Sequence, residues 1–366
     1  MPSRKLIKGT ILCGLVALWL PERAQSPARL EKEIVRVRKA ASNMPADDPV
    51  WQSLNTETEH ELSDAQAALD AGYEYLALED LGKGRENLQA AKYMNDRKQI
   101  VGRDLDAFDE EWKRAHTEVA SYENKAGSRV WAGKPAILRA FSESAAARTE
   151  PLLQGARAFS KVTDISSSLY YLGEAKSATD FANFCYSLDL PIHGTPLALR
   201  SIAEELHALQ ARVNAAFQPP RSIEKHPQFI RLGASLKLAK ELNTAGLYAG
   251  ALYQYLDAVQ RVRAIELTDP GTTSRTQLRS RFDTAEEQLK TSGRDDSIAE
   301  LFLQRARFLL SVQEGSEATS DNWRLVDSLV DEVLPTYAST VSRAANPTVS
   351  AGKASTRVTL VRWPYT

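Results

Sequence analysis

The 366-residue chain reads as all-α, an irregular α-solenoid of antiparallel helical hairpins arranged in two related halves. Three observations predict this. The first is a pattern that occurs twice, 174 positions apart: an apolar helical run, Ala-Gly, then an aromatic-rich returning helix. It reads Leu62, Ala65, Ala71, Gly72, Ala77, Leu78, Leu88, Ala90 and again Leu236, Ala239, Ala245, Gly246, Ala251, Leu252, Val262, Ala264. Self-similar helical units of this kind bury their faces by stacking on neighbours. The second is the seam Val101, Leu105, Phe108, Trp112, Ala115, Val119, Tyr122, whose alternating steps of four and three mark a long amphipathic helix. The third is that the opening faces of the two halves, Leu30, Ile34, Val37, Ala41 and Ile202, Leu206, Leu209, Val213, also correspond, with a shift near 172.

Each element follows from local signals. Ser26 and Pro27 are an N-cap and first-turn pair that open the first helix. Asp48 and Pro49 open the second, which runs through Trp51, Leu54, Leu62, Ala65 and Leu69 to Gly72, the left-handed cap. The returning helix spans Tyr73 to about Met94, with Gly82 and Gly84 weakening its middle. After the 101–122 helix comes a break from Gly127 to Pro135, then more helix, in which Pro151 forces a restart capped by Thr149. Two shorter helices follow, Ile165 to Ala175 and Thr179 to Leu190. Pro191, Gly194 and Pro196 then mark a boundary. Beyond it the order begins again, interrupted around Pro219, Pro220 and Pro227. It continues through the second Ala-Gly hairpin, a helix near Gln277 to Leu289, one at Leu301 to Leu310, and a last one from the Asp321 cap to Pro335. The predicted organisation is therefore a segment 1–28, an N-terminal helical half 29–191, a C-terminal half 197–343, and a tail 344–366. That tail, flexible or β-leaning, carries Lys353, Arg357, Arg362 and a β-leaning stretch from Val358 to Trp363.

With 46 basic against 47 acidic groups there is no global field to draw in nucleic acid. Arg4, Lys5 and Lys8 precede an apolar stretch, Ile11 to Leu20, ended by Pro21, the layout of a secretory signal and too short to span a bilayer comfortably. Cleavage after Ala24 or Ala28 is expected, Ser26 and Ala28 favouring the second. The chain is then periplasmic or extracellular, with membrane contact only if the segment stays uncleaved. Loss of residues 1–24 leaves 42 basic and 46 acidic groups. Only Cys185 then remains, on a stripe with Phe181, Phe184 and Leu188, so it reads as a buried thiol.

The hairpin turns resemble tetratricopeptide repeats. Gly246, Tyr248, Ala251, Tyr255 and Ala258, and less closely Gly72, Tyr75, Ala77 and Leu81, follow that family's order of turn glycine, aromatic and small crossing residue. The other helices lack its regular 34-residue spacing. The resemblance implies a surface that holds a protein or peptide partner, without chemistry and without a cofactor.

Tyr73, Tyr75, Tyr248 and Tyr253 gather around the two hairpins and are the expected partner-binding residues. Tyr253 stands out because it falls between the stripes of Leu252 and Tyr255. Glu57 with His60 and Glu204 with His207 have the Glu-x-x-His spacing that resembles di-iron carboxylate proteins, the basis of an alternative metal-binding reading. Both pairs lie off the apolar stripes of their helices. A second alternative is an envelope protein anchored by its N-terminus. Gly127 to Lys134 departs from a phosphate loop, since Pro135 stands where Ser or Thr would bind magnesium. No Gly-x-Ser-x-Gly or His-Glu-x-x-His motif occurs, so no catalytic or metal-ligating set is predicted.

Overall fold

The computed structural model describes residues 25–45, 49–101, 104–126, 129–219, 223–267, 275–312 and 320–345. The predicted leader up to residue 24 and the tail from 346 lie outside the described residues; residues 25–28 form the first turn of a helix. The helices are α1 (Gln25–Ser42), α2 (Pro49–Asp70), α3 (Glu74–Val101), α4 (Leu105–Ala126), α5 (Ala136–Lys161), α6 (Ile165–Ser187), α7 (Ala203–Ala216), α8 (His226–Thr244), α9 (Tyr248–Glu266), α10 (Arg275–Thr291), α11 (Ser297–Val312), α12 (Ser320–Ser328) and α13 (Leu334–Ala345). A π-helical turn, Leu329–Val333, joins the last two. The described residues are thus all-α, and their only extended pairing is a single parallel bridge between Thr195 and Arg294.

The two Ala-Gly turns close in the same way. Gly72 and Gly246 both have φ of +77°, a region open to glycine because it lacks a Cβ. The next amide then reaches back five residues, Tyr73 N to Ala68 O at 2.8 Å and Leu247 N to Leu242 O at 2.9 Å, the pattern of a Schellman cap. α2 and α3 form one antiparallel hairpin on this turn and α8 and α9 the other. Gly82 and Gly84, in the middle of α3, stand where Phe181 and Leu62 press on the backbone: an added Cβ would come within 2.7 Å and 3.1 Å of them. Their cost in helix propensity is offset by close packing.

Several boundaries differ from expectation. α3 runs on to Val101, and α4 starts at Leu105 with Asp104 accepting from the Asp106 amide at 2.9 Å. α5 passes through Pro151 without restarting. Ala145 and Thr149 before the proline and Leu153, Ala156 and Ser160 after it are buried on one stripe, so packing holds the rod together, and Thr149 bonds to Ala146 O instead of capping. α6 is one continuous helix, because Ala175, Ser177, Ala178 and Thr179 are buried against neighbours where a break was expected. The last helix crosses Pro335: the π turn widens the backbone just before it, with Leu334 N bonded to Leu329 O.

The main core draws on both ends of the chain, from Leu30, Ile34 and Leu62 to Phe302, Leu329 and Tyr337. A second cluster, with Phe108, Val119, Leu153, Leu169 and Leu172, lies under α4. Besides packing on its neighbour α6, α5 packs on α9, and α11 packs on α3. These crossed contacts join helices far apart in sequence, which a strictly nearest-neighbour stack does not make.

Candidate functional site

The four tyrosines singled out from sequence do not share one exposed face. Tyr75 and Tyr253 are each only 8% exposed, while Tyr73 and Tyr248 are half-buried. Tyr253 is placed inward because its ring is wedged between Phe141, 5.3 Å away, and Phe302, 6.3 Å away, and its hydroxyl donates to Glu79 Oε1 at 2.6 Å. The depression beside Tyr248, bordered by Leu199, Arg200, Thr340 and Val341, holds about 10 Å³, room for no more than a water.

Tyr253 belongs to a buried polar cluster at the meeting point of α3, α9 and α11. Arg305 grips the Glu79 carboxylate bidentately, with Nε 2.9 Å from Oε2, and donates to Gln260 Oε1 at 2.9 Å. Asp257 accepts from Ser235 at 2.8 Å and from Arg261 at 2.6 Å. Burial opposes ionisation of Glu79, yet Arg305 and Lys83 hold it down at about 2. Next to it, burial pushes the Asp80 carboxyl up to about 6 even though Lys83 lies 2.7 Å away. Every strong donor in this cluster meets an acceptor inside the fold, so it serves cohesion.

Side chains from distant elements close the N-termini of α3, α5 and α9. Gln304 Oε1 accepts from the Tyr75 and Leu76 amides, both at 3.1 Å, at the start of α3. Glu143 Oε2 accepts from the Gly250 amide at 2.8 Å at the start of α9. Asp295 and Ser297 accept from Ala136 and Ile137 at the start of α5, at 2.6 and 3.1 Å. The first amides of a helix have no partner within it, and these caps satisfy them in the interior.

A roomier feature is a cleft between α3 and α6 of about 180 Å³, lined by Gln89, Lys92, Tyr93, Asp96, Arg97, Gly173 and Lys176. Gly173 sets its floor: a Cβ there would lie 2.7 Å from Ala90 Cα, so glycine lets the two backbones touch. Arg97 lies over the Tyr93 ring, whose hydroxyl donates to Glu111 at 2.9 Å, and Lys176 reaches Glu118 at 2.8 Å. The lining combines an aromatic ring with lysine side chains that are about half exposed, 48% for Lys92 and 42% for Lys176, Lys92 lying 3.8 Å from Asp96. This cleft has little signature in the sequence. Its only signals are Lys92, Tyr93 and Arg97 close together on a helix and a lone glycine inside a helical run, each ordinary by itself.

Glu57, His60, Glu204 and His207 are all exposed, and His60 pairs with Asp64 at 3.0 Å. Among the described residues no group of three or more His, Cys, Asp or Glu is arranged to hold a metal ion. Lys134 is tied to Leu188 O and Asp189, at 2.7 and 2.8 Å, and Cys185 is fully buried, which raises its thiol pKa. Among the described residues no helix is long and apolar enough to cross a membrane.

Buried carboxyls give the fold a predicted pH response. Burial, reinforced by the Glu86 charge, pushes Glu174 up to about 7, and burial also raises Asp80 to about 6 and Glu61 and Glu143 above their ordinary values. A carboxyl that binds its proton more tightly when folded destabilises the fold above its folded pKa, and stability is regained as the pH falls through that value toward the lower unfolded one. Glu79 and Glu33, shifted the other way, lose their contribution only in stronger acid. Melting followed by circular dichroism is expected to show a Tm about 2–5 °C higher at pH 5.5 than at pH 7.5, with part of the gain absent in Glu174→Gln. A Tm that falls over this interval contradicts the assignment.

No family profile matches the chain, and no curated protein or solved structure is similar to it.

Proposed function

We propose that the protein is a non-catalytic, tetratricopeptide-like helical scaffold that binds a protein or peptide partner, with the α3–α6 cleft as its contact surface. The observation that carries this reading is the cleft itself. At about 180 Å³ it is smaller than the usual small-molecule pocket of roughly 300–1,000 Å³, and it suits one or two side chains of a larger partner. Tyrosine and arginine are the residue types that anchor interfaces, and Tyr93 with Arg97 offers both above a glycine floor. Lys92 and Lys176 at the rim select an acidic neighbour and speed its approach. The two glycine-capped hairpins support the scaffold reading, and the basic-then-apolar segment within residues 1–28 supports export.

Selection of a displayed peptide library on the purified chain tests this. Peptides with an acidic residue beside an apolar one are expected to be enriched, and Lys92→Glu/Lys176→Glu is expected to weaken them by about 10-fold or more, with the helical spectrum unchanged. Enrichment indifferent to these changes, or none at all, overturns the reading.

A further inference from the structure

The hydrogen bonds that close α3 and α9 carry a regularity of spacing. Leu76 and Gly250, whose amides receive the distant caps, are 174 positions apart, as are the turn glycines Gly72 and Gly246. The capping residues obey a second constant offset. Glu143 is the eighth residue of α5 and Gln304 the eighth of α11, and Phe141 and Phe302, which flank Tyr253, hold the sixth place in each helix. The bond from Glu143 to Gly250 is therefore the counterpart of the bond from Gln304 to Leu76, with the two parts of the chain exchanged. Tyr253 and Glu79, joined by a 2.6 Å hydrogen bond, are themselves separated by 174, so equivalent positions meet each other. Such a meeting of equivalents is what a two-fold relation produces on its axis.

We infer that the chain is a duplicated unit whose halves, 29–191 and 197–343, pair as an internal dimer, and that the Glu79–Arg305–Tyr253 cluster makes each half the required partner of the other. The equivalents at the axis differ in a complementary sense. Glu79 corresponds to Tyr253, Arg305 to Ser144, and Lys83 to Asp257. Two N-terminal halves brought together would bury Glu79 against Glu79, with Ser144 in place of each arginine. Two C-terminal halves would bury Arg305 twice with no Glu79 to receive it, leaving each arginine only Asp257 and Gln260 of its own half. Like charges brought together in the interior oppose both pairings, while the mixed pair sets Glu79 against Arg305. The crossed caps reinforce the choice, since each half closes a helix of the other.

The test uses the full chain with a specific protease site inserted between Ile192 and His193, in the exposed connection. After cleavage, native mass spectrometry is expected to show the two pieces as one 1:1 particle. After unfolding in urea and refolding of the mixture it is expected to recover that particle and neither homodimer. In the cleaved chain Arg305→Glu is expected to release the pieces, and adding Glu79→Arg to rejoin them. Pieces that separate after cleavage of the otherwise unaltered chain, or that form N–N or C–C dimers on refolding, overturn the inference.

Discussion

Replacing Arg305 by methionine lowers stability by about 3–5 kcal/mol, the range for breaking a buried ion pair by removing one partner. The size follows from what is left behind. The Glu79 side chain is 6% exposed and keeps only the Tyr253 hydroxyl as a hydrogen-bond donor, with Lys83 the one cation left nearby among the described residues. Gln260 loses a donor and Asp257 a nearby guanidinium, 3.6 Å away. Methionine replaces much of the volume, so cavity formation is a minor part of the loss. In the double variant Glu79→Gln/Arg305→Met most of this loss is recovered, because a neutral amide can still accept from Tyr253 and no charge is stranded. The resulting coupling of more than about 1 kcal/mol is the signature of a single polar unit. Urea denaturation of the four proteins measures it, and a loss below about 1 kcal/mol in Arg305→Met contradicts the assignment of this pair to the cohesion of the fold.

The sequence made the helices and turns legible where local chemistry decides them. Gly72 and Gly246 announced their turns because a left-handed cap needs glycine, and the four-and-three seam of α4 announced a half-buried rod. Pro151 and Pro335 misled because propensity is local, whereas the buried stripes that carry α5 and the last helix past them are tertiary. The aromatic residues misled for a related reason. Tyr253 falls between two apolar stripes and so looks free, yet α9 is surrounded by α5, α8 and α12 and has little exposed face left. The Glu79–Arg305 pair spans 226 positions, and no window of sequence holds both residues. The α3–α6 cleft was invisible for the same reason, since Gly173 acquires meaning only when Ala90 is seen against it.

Distant helices close one another's ends, Gln304 that of α3 and Glu143 that of α9. Leading amides of a helix ordinarily exchange with solvent almost freely, since they lack an intrahelical acceptor. Here Tyr75, Leu76 and Gly250 are expected to be protected to the level of the helix interiors, opening only with the core. Removing one buried acceptor, with Gln304→Ala, is expected to accelerate exchange at Tyr75 and Leu76 by about 10- to 100-fold while leaving Gly250 protected. Residue-resolved amide hydrogen exchange is the measurement. Slow exchange at all three amides, released selectively by Gln304→Ala at α3 and by Glu143→Ala at α9, is the predicted result. Fast exchange at all three in the unaltered protein would contradict the crossed caps.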